Sequence, residues 1–174
     1  MIFRLFFLII FIIILVLFTI GYSAFPIIQF DNVFFNAKIY TNKIDITQAD
    51  GKDNISTIVN DEYKTYSQYL HIACIITSCL IGGGILFSYI GMKFISKILF
   101  ILSLCFMISF TIIILIIYYS SIIENMIPYS MLTYIIEIPE EYKHIYKSYG
   151  SGGILVILSS IIMFVNYTLY TLIG

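Results

Sequence analysis

The chain has 174 residues, of which 60% are hydrophobic and only 11% are charged. Soluble domains carry roughly 25% charged residues, so most of this apolar surface is expected to face lipid rather than to fill one soluble core. The formal net charge of -1, with no run of basic residues, gives no electrostatic basis for contact with a phosphate backbone, and we expect no nucleic-acid partner.

Four apolar stretches have about the 20-residue length that a helix needs to cross the hydrocarbon of a bilayer. The predicted spans cover about residues 5–22, 69–90, 98–118 and 153–173. The first resembles a signal peptide because Arg4 precedes it, but it is longer than the roughly 7 to 15 apolar residues of a cleaved signal. We therefore interpret it as an uncleaved anchor and the whole chain, residues 1–174, as a single four-helix membrane domain.

Basic residues beside the predicted spans indicate the orientation. The two short segments on one side, residues 1–4 and 91–97, contain three basic residues and no acid. Every Asp and Glu lies in the two longer loops, residues 25–68 and 119–151. Lys and Arg next to spans favour the cytoplasmic side. The sequence therefore predicts that both termini and the tight turn are cytoplasmic and that both long loops are outside.

The first outer loop is predicted to form a β-hairpin. Residues 38–46 contain short apolar and polar alternation rich in β-branched and aromatic residues, residues 50–53 have turn chemistry, and residues 55–59 can form a returning strand. Asn60 is placed to cap a helix that extends the second span outwards. The triplet that begins at Asn54 is a glycosylation acceptor, whose use requires insertion through the secretory pathway.

The second outer loop is predicted to contain a strand at residues 131–138 and a short helix at residues 139–147, which Gly150 closes. A hairpin alone is marginally stable in water, so pairing of this strand with the hairpin would stabilise both. The predicted fold class is thus an all-α membrane protein. It is a four-transmembrane-helix bundle with a small extracytoplasmic β-hairpin or sheet from the two outer loops.

Small and polar residues in the second and fourth spans are predicted to mediate helix packing, because close packing rather than hydrophobicity drives helix association in lipid. We expect the most polar of them, Asn166, to hydrogen-bond to a neighbouring helix. The alternatives are a partner-binding surface on the same stripe and, for the three consecutive glycines, a bend in a pore-lining helix. The predicted packing residues are Ser78, Gly82, Gly83, Gly84, Gly152, Ser159 and Asn166.

No catalytic, cofactor-binding or metal site is predicted. Transporters and proton relays usually place acidic or basic groups at membrane depth, whereas in this sequence His71 lies only at the outer boundary of a predicted span. Glu141 and His144 have the spacing of a di-iron motif without its second copy, so we interpret them as a solvated pair in a loop. We expect no enzymatic activity and no cofactor.

The predicted topology has a long first outer loop with β-structure, a tight inner turn, a shorter second outer loop with a strand, and short inner termini. In this it resembles the claudin and peripheral-myelin-protein superfamily of tetraspan proteins along the whole chain. The resemblance implies adhesion, junction-like assembly or membrane organisation through the external sheet. The chain has no tryptophan and no cysteine in its outer loops, where the family's first-loop signature has both, so no functional residue is carried over.

The leading hypothesis is a non-enzymatic four-pass protein whose outer loops bind another protein or a second copy, in the plasma membrane or the secretory pathway. The alternative is an accessory subunit of a larger membrane complex, including one in an organelle membrane. A pore or carrier is the third hypothesis, and the stripe of Ser, Cys and Gly is its support. All three require the lipid bilayer as a partner.

Overall fold

The computed structural model describes residues 2–31, 35–40, 44–48, 54–56, 61–119 and 146–173. These residues form four long helices and five short strands, with β1 to β4 between the first two helices and β5 directly before the last. In chain order they are α1 (Ile2–Ala24), β1 (Ile28–Asp31), β2 (Phe35–Ile39), β3 (Ile44–Gln48), β4 (Asn54–Ser56), α2 (Asp61–Ile90), α3 (Lys93–Tyr119), β5 (Tyr146–Tyr149) and α4 (Ser151–Ile173).

Each of the four helices contains a segment long and apolar enough to cross a membrane. These segments are Leu5–Ala24, Gln68–Ile90, Lys93–Ile116 and Ser151–Ile173. The prediction of four apolar helices is therefore confirmed by length and composition. The helix α2 begins at Asp61, seven residues before its apolar segment, as expected for a helix that extends beyond the second span. Its predicted cap, Asn60, lies outside the described residues.

The turn between α2 and α3 is tight. The helix α3 begins at Lys93, so only Gly91 and Met92 separate the two helices. Gly91 has a φ of 100°, a left-handed conformation that glycine adopts without steric cost. The N–H of Met92 donates to the carbonyl oxygen of Phe87 at 2.9 Å, a bond typical of glycine-terminated helices. The tight turn predicted within residues 91–97 is thus confined to Gly91 and Met92, because one such glycine is enough to reverse the chain, and residues 93–97 belong to α3.

The four helices form a ring in chain order, in which α1 contacts α2 and α4 while α3 contacts the same two helices. Aromatic rings from three helices fill one layer of its interior. Phe11 stacks on Phe100 with ring centroids 3.8 Å apart, and the Tyr170 ring lies edge-on to both at 5.7 and 5.8 Å. From α2, the Ser88 hydroxyl reaches the Tyr170 hydroxyl at 3.0 Å, so all four helices meet in this layer.

The outside of the bundle is also apolar. Ile12 of α1, Leu86 of α2, Ile116 of α3 and Ile161 of α4 each expose about half of their surface. Soluble monomers rarely expose such continuous apolar surface. Helices that are apolar all round are typical of buried or membrane-spanning segments.

The five strands form one antiparallel sheet in the order β4-β3-β2-β1-β5. The first four strands are a meander from the first long loop, and β5, from the second, pairs with β1. The prediction of a small sheet is confirmed, although its strands differ from those predicted. The predicted strand 38–46 is two strands, β2 and β3, and the sequence between them, residues 41–43, has three consecutive polar residues that interrupt the alternation.

Three further differences concern the ends of the loops. The strand β1 was not predicted, and the predicted return strand 55–59 corresponds to β4 over Asn54–Ser56. The predicted helix 139–147 was wrong at its C-terminal end, because Tyr146 and Lys147 belong to β5 and pairing with β1 overrides local helix preference. The predicted turn at residues 50–53 and the predicted strand 131–138 lie outside the described residues.

Candidate functional site

The sheet has one apolar face, which packs towards the helices. Ile28 of β1 and Ile39 of β2 are directly opposite each other and are buried, as is Ala37. Lys38, between the two buried residues of β2, is exposed. Successive side chains in a strand point to opposite faces, so this alternation assigns each residue of β1 and β2 to a face.

The other face is polar and accessible. Across neighbouring strands, Asp45 is opposite Lys38, Lys38 is opposite Gln29, and Gln29 is opposite Ser148. The oppositely charged Lys38 and Asp45 therefore occupy adjacent positions, an arrangement that stabilises a sheet. A second row contains Asp31, Asn36 and Thr47, in which the Asn36 amide donates to the Asp31 carboxylate. We refer to these seven residues, Gln29, Asp31, Asn36, Lys38, Asp45, Thr47 and Ser148, as the polar sheet face.

Glycines at the start of α4 join the sheet closely to the bundle. The N–H of Gly150 donates to the carbonyl oxygen of Ile27, and that of Gly152 to the carbonyl oxygen of Pro26, both at 2.9 Å. A Cβ added at Gly152 would overlap the carbonyl oxygens of Gly21 and Phe25. The backbones of α1 and α4 therefore touch where the chain enters β1 and leaves β5.

Of these glycines, only Gly152 belongs to the predicted packing residues. Gly150 and Gly153 are equally close to the chain around Ile27, and a Cβ at Gly21 would lie 3.0 Å from the Leu155 Cβ. The sequence signal that could have identified Gly150 and Gly153 is the Gly-Ser-Gly-Gly run at residues 150–153, directly before an apolar stretch.

Tyrosines form a second connection between the sheet and the helices. The ring of Tyr149, at the end of β5, stacks on Tyr118 of α3 with centroids 4.1 Å apart and planes inclined by 13°. Tyr119 packs edge-on against Tyr118 at 5.2 Å. Burial first, and then the neighbouring Tyr119 and Tyr118, raise the pKa of Tyr149, so this hydroxyl is neutral at physiological pH. The sheet is thus held by α3 as well as by α1 and α4.

The three consecutive glycines of α2 have different surroundings. A Cβ at Gly84 would come within 2.6 Å of the Phe100 ring, and one at Gly83 would lie 3.4 Å from Leu99. A Cβ at Gly82 would meet no atom within 4 Å. Gly84 therefore forms the notch that receives the Phe100 ring, whereas Gly82 faces outwards. The helix α2 continues through all three glycines.

Of the remaining predicted packing residues, Ser78 and Asn166 lie at contacts between helices. The Ser78 hydroxyl is 3.3 Å from the Thr19 hydroxyl of α1, and the Asn166 side-chain amide donates to the carbonyl oxygen of Phe7 at 3.3 Å. Ser159 is buried and donates to Val156 in its own helix. The predicted residues are therefore distributed over several helix contacts and are not brought together as one site.

Pairing of β1 with β5 predicts a specific disulfide. Gln29 and Ser148 are opposite each other, and Cα atoms of opposite residues in antiparallel strands are about 4.5–5.5 Å apart, within the range for a disulfide. In a background with Cys74, Cys79 and Cys105 replaced by alanine, Gln29→Cys with Ser148→Cys should cross-link under mild oxidation. A protease site introduced between residues 120 and 145 would then yield fragments joined only without reductant.

A pair on strands that are not neighbours is the control for this cross-link. Lys38→Cys with Ser148→Cys joins residues two strands apart, since β1 lies between them, and should not form a disulfide. Equal cross-linking of both pairs, or none with the first, would contradict the sheet.

Comparison with known proteins assigns no family to this chain. It matches no protein-family model and no curated protein. Among the described residues, no three His, Cys, Asp or Glu side chains lie together as ligands of a metal ion would. Function is therefore inferred from the sheet and the bundle themselves.

Proposed function

We propose that this chain is a non-enzymatic four-pass membrane protein that acts in adhesion or membrane organisation through its outer loops. The observation that carries the proposal is the pairing of β5 with β1, which joins segments from both long loops in one sheet. The sheet has an apolar face against the bundle and an accessible polar face directed away from it. A polar face that is held in a fixed position relative to the helices suits recognition of another protein, in the same or an opposing membrane.

Membrane insertion and orientation belong to the same proposal. The apolar outer surface of all four helices supports insertion. Lys93 and Lys97 lie at the end of the bundle opposite the sheet, and basic residues beside spans favour the cytoplasm. The termini and the α2–α3 turn are then cytoplasmic, and the sheet lies outside the cell or in the lumen of a secretory compartment. This topology agrees with the resemblance to claudin-like tetraspan proteins.

The interior of the bundle favours an organiser over a pore or carrier. The stacked rings of Phe11 and Phe100, with Tyr170 edge-on, occupy the layer where all four helices meet. Each of these side chains is fully buried, with an exposed fraction of at most 1%. A polar path through the centre of a single chain would need this layer to open.

The second candidate function, an accessory subunit of a larger membrane complex, is favoured by the outer surface of α2. Gly82 has open space where a Cβ would lie, and the nearby Cys79 is exposed. Small residues on an outward helix face allow a partner helix to approach closely. In this alternative the helices, rather than the sheet, carry the interaction.

Affinity purification of the tagged native protein in mild detergent tests the proposal, with co-purifying proteins quantified by mass spectrometry. We expect recovery of the chain alone, as a homo-oligomer, or with one loop-bound partner. Co-expression of two differently tagged copies distinguishes self-association from a separate partner. A fixed stoichiometric set of several other subunits would overturn the adhesion proposal in favour of the accessory subunit.

Glycosylation of Asn54 is expected if the sheet enters the secretory pathway. Asn54 lies in β4, at one edge of the described sheet and opposite Thr47. Treatment with a glycosidase should increase gel mobility, and both Asn54→Gln and Ser56→Ala should remove the effect. The second formal acceptor, Asn166, is 3% exposed within α4 and provides the control, because Thr168→Ala should leave the mobility shift intact. An unmodified Asn54 in cells would favour an organelle membrane.

A further inference from the structure

The end of the bundle opposite the sheet, which we call the turn end, consists of the last turn of α2, the Gly91–Met92 turn and the first two turns of α3. Aromatic side chains are highly exposed here: Tyr89 exposes 80% of its surface and Phe94 77%. Aromatic residues with this exposure at a helix end are typical of the membrane–water interface.

Two lysines accompany these aromatic residues. Lys93 and Lys97 are one helical turn apart in α3, so they lie on the same side of the helix; Lys93 is exposed and Lys97 is half-buried. Between Glu62 and Glu124 the sequence contains no acidic residue. The positive end of the α3 dipole has the same sign as the lysines. The helix α1 also begins at this end, with Arg4 in its first turn.

We infer that the turn end binds the headgroups of anionic phospholipids in the adjacent leaflet. This inference rests on the proposed membrane insertion. The lysine ammonium groups match the net negative charge of the headgroups, while Tyr89 and Phe94 occupy the boundary with the acyl chains. The long loops at the sheet end have the opposite net charge, because they contain all ten acidic residues of the sequence against six lysines. Lipid selection is therefore confined to one leaflet.

The absence of tryptophan from the chain allows a direct test. Phe94→Trp introduces a single fluorophore at the turn end, and Tyr119→Trp introduces one at the sheet end of the same helix, where Tyr119 is 79% exposed. Each variant is reconstituted into vesicles that contain brominated phosphatidylserine or brominated phosphatidylcholine at the same mole fraction. Bromine quenches only nearby tryptophan. Both leaflets have the same composition, so the direction of insertion does not affect the result.

The fluorophore of the Phe94→Trp variant should be quenched more strongly by the anionic lipid, with a local enrichment of roughly five- to twenty-five-fold, since each of the two lysines near an anionic surface contributes up to roughly fivefold. Lys93→Gln with Lys97→Gln should remove the excess, and about 1 M salt should reduce it because the Debye length falls to about 3 Å. The fluorophore of the Tyr119→Trp variant should be quenched equally by both lipids. A reporter at Tyr89→Trp repeats the measurement if the first variant is poorly recovered.

Equal quenching of the Phe94→Trp variant by the two lipids would overturn the inference. The alternative would then be that the lysines bind an acidic protein partner. An excess that persists in the double lysine variant would also overturn it, because the lysines would not be its source. Flotation of the vesicles on a density gradient tests insertion separately. Protein that does not float with any vesicles would contradict the proposed function, whereas floating protein without lipid preference would contradict only the inference.

Discussion

Replacing Gly152 with alanine is expected to cost about 3 kcal/mol of folding free energy, the upper end of the range for overpacked sites. The added methyl group would overlap the carbonyl oxygens of Gly21, Phe25 and Pro26. These are backbone atoms, which cannot turn away as the end of a side chain can. The contact also holds the entry to β1 against the exit from β5, so we expect α1–α4 packing and the sheet to be lost together.

Thermal unfolding of the purified variants in detergent measures this effect, with size-exclusion chromatography used to monitor the fraction of protein that stays folded. Gly82→Ala is the matched control, because it adds the same methyl group where no atom lies within 4 Å. Alanine favours a helix over glycine by up to about 1 kcal/mol, so this control should be neutral or slightly stabilising. Similar losses in both variants would show that the close approach of α1 and α4 at Gly152 is not what limits stability.

Replacing Phe100 with alanine is expected to have an effect of similar size, about 3 kcal/mol. Its ring stacks on Phe11, lies edge-on to Tyr170 and fills the notch at Gly84, so its removal leaves a cavity where all four helices meet. Phe→Ala in soluble cores costs about 3–5 kcal/mol. We expect the lower end because lipid, unlike water, does not oppose exposure of an apolar ring.

The control for Phe100 lies further along the same helix. Phe106 exposes 38% of its surface on the outside of the bundle. Phe106→Ala makes the same chemical change and should alter the unfolding temperature little. If Phe106→Ala were as destabilising as Phe100→Ala, the aromatic layer would not be the centre of the bundle.

The four helices were predictable because their signal is local. About 20 consecutive apolar residues define each of them, whatever their neighbours are. The sequence predicted Gly82, Gly83 and Gly84 as packing residues without distinguishing among them. Sequence spacing does not show that Gly82 faces outwards whereas Gly84 faces Phe100. Which side of α2 meets α3 depends on the packing of the whole bundle.

The sheet was harder to predict because its key pairing is not local. Ile28 and Tyr149 are opposite each other, although 121 positions separate them in the sequence. Each of β1 and β5 has only four residues, the shortest length at which alternation indicates a strand, and β5 does not alternate apolar and polar residues. The register of the strands determines which side chains share the polar sheet face. That register could not be predicted until the break between β2 and β3 was known.

The joint between sheet and bundle gives the proposed function its physical basis. Hydrogen bonds from Gly150 and Gly152 hold one side of the joint, and the Tyr118–Tyr149 stack holds the other. A surface fixed at two points loses little conformational freedom on binding, which increases affinity for a given set of contacts. Because these contacts involve α1, α3 and α4, a force applied to the sheet by a bound partner acts on all three helices.

Site-specific photo-cross-linking in native membranes tests most directly whether the sheet is the binding surface. A photoreactive amino acid replaces Lys38, which is exposed on the polar sheet face, or Phe164, which exposes 56% of its surface on the outside of α4. The proposed function predicts a discrete protein adduct, with a partner or a second copy, from position 38 and none from position 164. Discrete adducts from position 164 alone would contradict it and assign the interaction to the helices of an accessory subunit.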